Sequence, residues 1–543
     1  MRQLTALDAQ FLHAESATTA AHVAGLAVLA PCPEGSASFR GSEGLEGPEG
    51  PEGPESSAGS GSSGDAEGSE GSGGAGSSGA VTRERLIELL RERLHLTPAL
   101  RMRLVTVPFG LDRPYWTEDT GVDVADHVHE VTLAPPGDDA RLAEEVARIH
   151  ERHLDRRRPL WEMHLIHGLT GGRVALYAKV HHCAIDGVSG AETIAALLDL
   201  TPEPRAVEPP APPAAPATTA PGLAGMLAGA MARTVLQPAR TLYSLGRMAA
   251  ELDTMPLASA LPGARQVAAA ATRMVTGRME ELPELPVLAA PRTPFNGPIG
   301  AERRFAFGSI PLADVKRIAK DAGASVNDVV MTLCASALRA WLRERDALPD
   351  RPLIAAVPVA LRDGGCGRLG NQISVMVTPI PTDLACPRER LRVMAGTMRA
   401  AKRRFAGSPA GWLGELSSML PAAVTALATS AVFRLASIVL PPVNLIVSNV
   451  PGPQLPLYLC GARVLAYHPM SVLTDVSGGV SITCFSYDGS LDFGILSCPD
   501  RVSDVWRLMD HLREAMDELG DLPQTGGRRA PADLGGGDAS LFR

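Results

Sequence analysis

The sequence predicts an α/β protein of two domains. Three observations predict it. The chain has 543 residues, too many for one ordinary hydrophobic core. Short apolar runs of strand length alternate along it with stretches of helical period. A Pro/Ala-rich stretch at 201–221 interrupts that alternation and reads as a linker or crossover. The domains are therefore expected at 1–200 and 294–523. Linker and connecting helices fill 201–293, and 524–543 reads as a disordered tail.

The first half opens with Leu7-Asp8-Ala9-Gln10-Phe11-Leu12, followed by a strand over Val23–Leu29. Residues 31–80 are low-complexity Gly, Ser, Glu and Pro. They lack the apolar side chains that would offset their ordering entropy, so a disordered surface insertion is expected. Leu86, Ile87, Leu89, Leu90 and Leu94 then mark one face of a helix. A strand over Met102–Val107 and a helix over Asp138–His153, with Leu142, Val146 and Ile149 inward, come next. Pro159-Leu160-Trp161-Glu162 precedes a strand at Met163–Ile166, and Val174–Ala178 is an apolar run of strand length. Ser189 and Glu192 have capping-box spacing before a helix over Thr193–Leu200. Residues 222–285 read as weakly polar helices, with Leu223, Met226, Leu227 and Met231 on one stripe.

The second half begins near Pro294-Phe295-Asn296, with a strand at Arg303–Phe307 and a helix at Leu312–Asp321. Ser325 and Asp328 form a capping box that opens a further helix, which by itself explains Asp328; Asn327 can line a site or simply pack. A strand at Leu353–Val359 leads to a Gly-rich loop, and Gly370-Asn371-Gln372 to another strand through Val377. Leu391–Ala401 is helical. Val443–Val447 is a strand ending in Ser448-Asn449-Val450-Pro451-Gly452-Pro453. Alternation on either side of Asp488-Gly489 predicts a hairpin, and Val502–Leu519 a closing helix.

Composition excludes several classes. The net charge of −9 comes mostly from 34–80, where nine acids face Arg40 alone. The remainder is near neutral, so no nucleic-acid partner is expected. The eight cysteines are scattered without a Cys-x-x-Cys pair, which fits free thiols in a reducing cytoplasm. No signal peptide is apparent in 1–20. The most apolar span, Ala431–Val450, contains Arg434 and Pro441-Pro442 and makes a poor transmembrane helix.

The chemistry concentrates in Lys179-Val180-His181-His182-Cys183-Ala184-Ile185-Asp186-Gly187, where the Val174–Ala178 strand ends. Adjacent strand residues point to opposite faces, so one imidazole can face a cavity while the other packs or hydrogen-bonds. The same divergence, with no third ligand at usable spacing, argues against a metal. Two satisfied histidines and a loop aspartate in an ordinary α/β domain remain the plain alternative.

This stretch resembles the His-His-x-x-x-Asp-Gly motif of the CoA-dependent acyltransferase superfamily. With Leu7–Leu12, Pro159-Leu160-Trp161, Asn327-Asp328, Gly370-Asn371-Gln372 and Ser448–Pro453 in this order, the chain resembles the bacterial wax ester synthase/diacylglycerol acyltransferases over 1–30 and 81–523. The resemblance implies two CoA-dependent acyltransferase-like domains, each a mixed sheet with packed helices, with an active-site tunnel at their interface. It implies acyl-CoA as donor, diacylglycerol or a long-chain alcohol as acceptor, and no cofactor beyond that acyl-CoA substrate. His182 would be the general base and His181 an orienting or packing residue. Asp186 would hold the corner, and Gly187 would permit its turn. Pro159, Leu160 and Trp161 would belong to the substrate channel, and Asn327 and Asp328 to the second motif, with Asn327 a candidate oxyanion donor. Both substrates are greasy, which suits a tunnel between the two domains; a cytoplasmic protein in peripheral contact with a membrane or lipid droplet is a separate expectation. The departures are the 31–80 insertion and Cys183, where a small residue is usual. No Ser or Cys sits in a nucleophile elbow, so direct transfer is expected over an acyl-enzyme. The alternatives are a condensation-type acyltransferase and a catalytically silent lipid-binding protein.

Overall fold

The computed structural model describes residues 2–31, 81–185, 187–209, 222, 225–233, 290–360, 371, 373–407, 417, 422–439 and 441–521. The expected insertion, most of the linker and connecting helices, the loop 361–370 and the tail from 524 lie outside the described residues.

The elements of the first half are β1 (Arg2–Gln3), α1 (Ala6–Ala14), β2 (His22–Leu29), α2 (Arg83–Arg93), β3 (Met102–Val105), β4 (Tyr115–Glu118), β5 (Val128–Thr132), α3 (Asp139–His150), β6 (Trp161–His167), β7 (Val174–His181) and α4 (Gly187–Leu197). The second half contributes β8 (Arg304–Pro311), α5 (Leu312–Ala322), α6 (Val326–Arg343), β9 (Leu353–Ala360), β10 (Ile373–Ile380), α7 (Pro387–Gly407) and α8 (Ala422–Val439). It closes with β11 (Leu445–Pro451), β12 (Tyr458–Leu459), β13 (Ala462–Met470), β14 (Val480–Tyr487), β15 (Ser490–Ser497) and α9 (Val505–Gly520). Two six-stranded mixed sheets result, in the orders β12-β13-β2-β7-β6-β5 and β10-β9-β11-β14-β15-β8; β1, β4 and β3 form a small third sheet.

Local signals explain many elements. Ser325 and Asp328 cap α6 reciprocally at 2.9 and 3.2 Å. Asp488 and Gly489 turn the β14–β15 hairpin with φ of 39° and 84°, as a type I′ turn demands. α6 is buried on nearly every face, under the second sheet and against α9.

The structure corrects four expectations. α4 starts at Gly187, six residues before the predicted Thr193. The Ser189/Glu192 spacing that suggested a cap is equally the i,i+3 spacing of a continuous helix. The strand predicted to stop at Val447 continues to Pro451, paired in parallel with β14; proline is tolerated at a strand end. α8, absent from the prediction, covers the first part of the apolar Ala431–Val450 span. Among the described residues no helix is long and apolar enough to cross a membrane.

The fourth correction concerns β13, which no periodicity announced. It comes late in the chain yet pairs with β2 in the first sheet. The second sheet holds it too: Tyr467 N donates to Asp492 at 2.8 Å, and His468 Nδ1 lies 3.1 Å from Phe493 O. Gly494 makes room for this crossing, because a Cβ there would meet Pro469 O at 2.0 Å. One strand thus ties the two sheets together.

Candidate active site

α1 organises the site. Thr5 and Asp8 cap it reciprocally, using Asp8 Oδ2. Asp8, Phe11 and Glu15 then follow one face of the helix, and Glu15 is its C-cap. That face meets the end of β7, where the two histidines sit.

The histidines diverge as strand alternation requires. His181 is buried with Nε2 3.7 Å from Glu15 Oε1, and its Nδ1 accepts the Cys183 N–H at 3.1 Å. Burial lowers its pKa below the usual histidine range, against the pull of Glu15. Burial alone would raise Glu15; contact with His181 and Arg156 outweighs it and holds the carboxyl at about 2. His181 N–H also donates to Leu160 O at 2.9 Å, tying the Pro159-Leu160-Trp161 segment to the corner.

His182 faces the other way. Its ring stacks on Phe11, with centroids 3.8 Å apart and planes within 5°. Its Nδ1 lies 3.1 Å from Asn371 Oδ1. The Asn371 amide cannot be flipped without penalty. Its Nδ2 donates to Asp8 Oδ1 at 2.8 Å and to His182 O at 2.6 Å, and its backbone N–H donates to the same Asp8 oxygen at 2.9 Å. Both Nδ2 partners are acceptors only, so Oδ1 must face the imidazole and Nδ1 must carry the proton. The neutral ring then presents its lone pair at Nε2, the form a general base needs.

An apolar cavity of about 810 Å³, counted with its mouth, opens on the His182 side of the first sheet. Gly25, Ala178, Met163 and Ile194 line it, with Tyr467 and Phe485 from the β13 and β14 side. Ala178, Val180 and His182 share one parity, so the cavity begins about 13 Å along β7 from His182.

The remaining candidates fall elsewhere. Pro159, Leu160 and Trp161 are buried; Trp161 donates to Leu100 O at 2.8 Å and stacks on His127. Their strand reaches the cavity through Met163. Asp328 is engaged in its cap, and Asn327 Oδ1 accepts from Asn449 at 3.1 Å, which joins two of the motifs. Asp186 lies outside the described residues, and Gly187 is the first residue of α4. Cys183 is fully buried, and burial pushes its thiol pKa well up, away from thiolate chemistry. His129, Glu162 and His164 bring three donor atoms within 4.8 Å of one another. They lie on the opposite face of the sheet, and the buried Lys179 ammonium already holds Glu162 at 3.1 Å. Asp8 and Asn371 stood in motifs the sequence displayed, without a role attached to them. Phe11 stood in the same opening motif as Asp8, and Glu15 gave no signal beyond its helical spacing from Phe11.

Two mixed α/β halves with a histidine pair at a strand end define a CoA-dependent-acyltransferase type of protein. The first condensation domain of the calcium-dependent antibiotic synthetase has this fold, at 16% identity and a TM-score of 0.50. The wax ester synthase/diacylglycerol acyltransferase catalytic domain matches residues 69–330, and the C-terminal domain of the same family matches 369–520. The chain belongs to that family and is an acyltransferase. A Mycobacterium tuberculosis protein named as a diacylglycerol O-acyltransferase is 35% identical over 426 residues, 78% of this chain and 88% of that one. The wax ester synthase/diacylglycerol acyltransferase from Marinobacter aquaeolei VT8 superposes with a TM-score of 0.60 at 25% identity, covering 95% of this chain and 98% of that one.

Proposed function

We propose that the enzyme moves a long-chain acyl group from acyl-CoA to the hydroxyl of diacylglycerol or a long-chain alcohol, with His182 as general base. The observation that carries this reading is the Asp8–Asn371–His182 chain, which leaves Nε2 as the acceptor. Nε2 takes the hydroxyl proton as the oxygen attacks the thioester carbonyl. The tetrahedral intermediate collapses, the C–S bond breaks, and the CoA thiolate recovers the proton from the imidazolium. A thioester is already activated, so supplying a competent nucleophile is the main task, worth about 10²–10⁴-fold. The apolar cavity beside β7 takes the acyl chain. No metal or further cofactor enters this scheme. Because the acceptor is a lipid, the reading includes contact with a membrane or storage droplet on the cytoplasmic side.

The test uses purified protein with palmitoyl-CoA and a panel of acceptors, following CoA release and identifying products by mass. His182→Ala is expected to lose turnover by about 10²-fold or more while staying folded. His181→Ala is expected to cost more stability and less activity. Near-normal CoA release from folded His182→Ala defeats the assignment.

A further inference from the structure

α8 is built inside out. A helix at a water-facing surface turns its apolar side inward. Here the inward side carries hydroxyls beside the half-buried Phe433 and Ala436: Thr425, Thr429 and Ser437 are buried, Thr429 Oγ1 lies 3.2 Å from Gln10 Oε1, and Ser430 donates to His13 O. The outward side carries Val424, Val432, Leu435 and Ile438, which are 45, 56, 62 and 50% exposed. Beside α8 lies the turn Pro108–Gly110, with Phe109 at its tip. Phe109 is 92% exposed at φ 56°, an unfavourable backbone for a residue with a Cβ, and among the described residues none covers its ring. Leu111, also on this rim, is 43% exposed. An aqueous surface gives no reason to gather these groups.

Charge narrows the occupant. Residues 422–439 contain no acid, and their one charged side chain, Arg434, is exposed at the margin of the apolar side. A long cation at such a margin reaches headgroup phosphates while its stem stays apolar. A second copy fits less well. A twofold contact would bring Arg434 toward its mate with no carboxylate on either helix to meet it. Phe109 is a protruding tip, and fluid lipid accommodates a tip without a matching pocket.

We propose that α8 and the Phe109 turn form the face by which this enzyme lies on a phospholipid surface. The inner side of α8 rests on α1, which carries the Phe11 ring stacked on His182. The lipid would then lie roughly one helix diameter, ~10 Å, from the helix that holds the base. The proposal adds to the acyl-transfer reading the surface through which a lipid-borne acceptor is reached. It is tested by binding, which needs no turnover.

The experiment is flotation of the full chain with phosphatidylcholine vesicles, with and without phosphatidylglycerol. A Leu435→Glu/Ile438→Glu double variant and a separate Phe109→Gly variant are compared with the unaltered protein. Glycine suits the positive φ of this turn, so Phe109→Gly cannot fail through misfolding there. Both variants are expected to partition about tenfold less onto vesicles. CoA release with a short soluble acyl-CoA and alcohol is expected to be unchanged, and activity on vesicle-embedded diacylglycerol to fall. Unaltered partition by both variants overturns the proposal. A double variant that changes oligomeric state but not partition assigns the face to a second copy. A lower melting temperature for that variant, with normal partition by Phe109→Gly, assigns it to a segment of this chain. If no variant releases CoA, the acyl-transfer reading fails while the flotation result still stands.

Discussion

Asn371 shows how little a histidine proposed as a base can be left to itself. Imidazole has two tautomers of similar energy in water, and only one places the lone pair at Nε2. Asn371 selects it because its own amide is oriented by Asp8, and Asp8 is oriented by its cap on α1. Asn371→Ala should remove that selection and take from Asp8 Oδ1 its side-chain donor, leaving only the backbone N–H of residue 371. The expected result is a kcat lower by about 10–10²-fold, with KM for acyl-CoA nearly unchanged and a displaced acid limb in the pH–rate profile. A purely structural Asn371 would lower the melting temperature and leave the pH profile in place. Measuring both on the same preparation separates the two.

At the scale of elements, β2 and β7 shape the cavity. Gly25 pairs with Ala178 and Ala27 with Leu176, so small side chains line its sheet wall. Tyr467 crosses above Gly25 so closely that an added Cβ would sit 1.9 Å from its hydroxyl oxygen. Ala178→Phe should fill part of the space without touching His182 or its partners. Long acyl-CoA should then bind about tenfold worse, while turnover of short acyl-CoA stays within about twofold. An unchanged chain-length profile from a folded variant would place the acyl chain elsewhere. The same strands explain the histidine pair: β7 runs through His181, so one ring goes to Glu15 and the next to Asn371.

Across the whole molecule, buried histidines dominate the response to acid. Burial lowers His22, His150, His181 and His127 below the usual histidine value, and His468 to about 4. Each is neutral in the folded protein at a pH where the unfolded chain would be protonated. Below about pH 6.5 the unfolded state therefore binds more protons, and stability falls as pH drops toward the folded values. His468 alone accounts for on the order of 3 kcal/mol by about pH 4. Asp492, raised to about 6 by burial, works in the opposite direction over its own range but is a single group. The melting temperature should hold steady above about pH 7 and fall steeply between about pH 6.5 and 5. A flat profile across that interval would mean that these rings are hydrated or already charged in the folded state.

Local period and turn chemistry made much of the fold legible in advance. The β14–β15 hairpin, the capped start of α6, the strand before the histidines and the opposed directions of His181 and His182 all follow from residues a few positions apart. The family resemblance was legible too, because its motifs are short and lie in order along the chain. What only the tertiary structure decided depends on partners far apart in sequence. Asn371 meets an aspartate 363 residues away. β13 leaves the pattern of its own half to complete the first sheet. α8 turns its hydroxyl side inward because α1 offers it Gln10 and His13. A side chain's periodicity states which face it shares; it does not state which surface that face will meet. That second fact is set by close packing and by the pairing of buried polar groups, and neither exists until the distant segments are together.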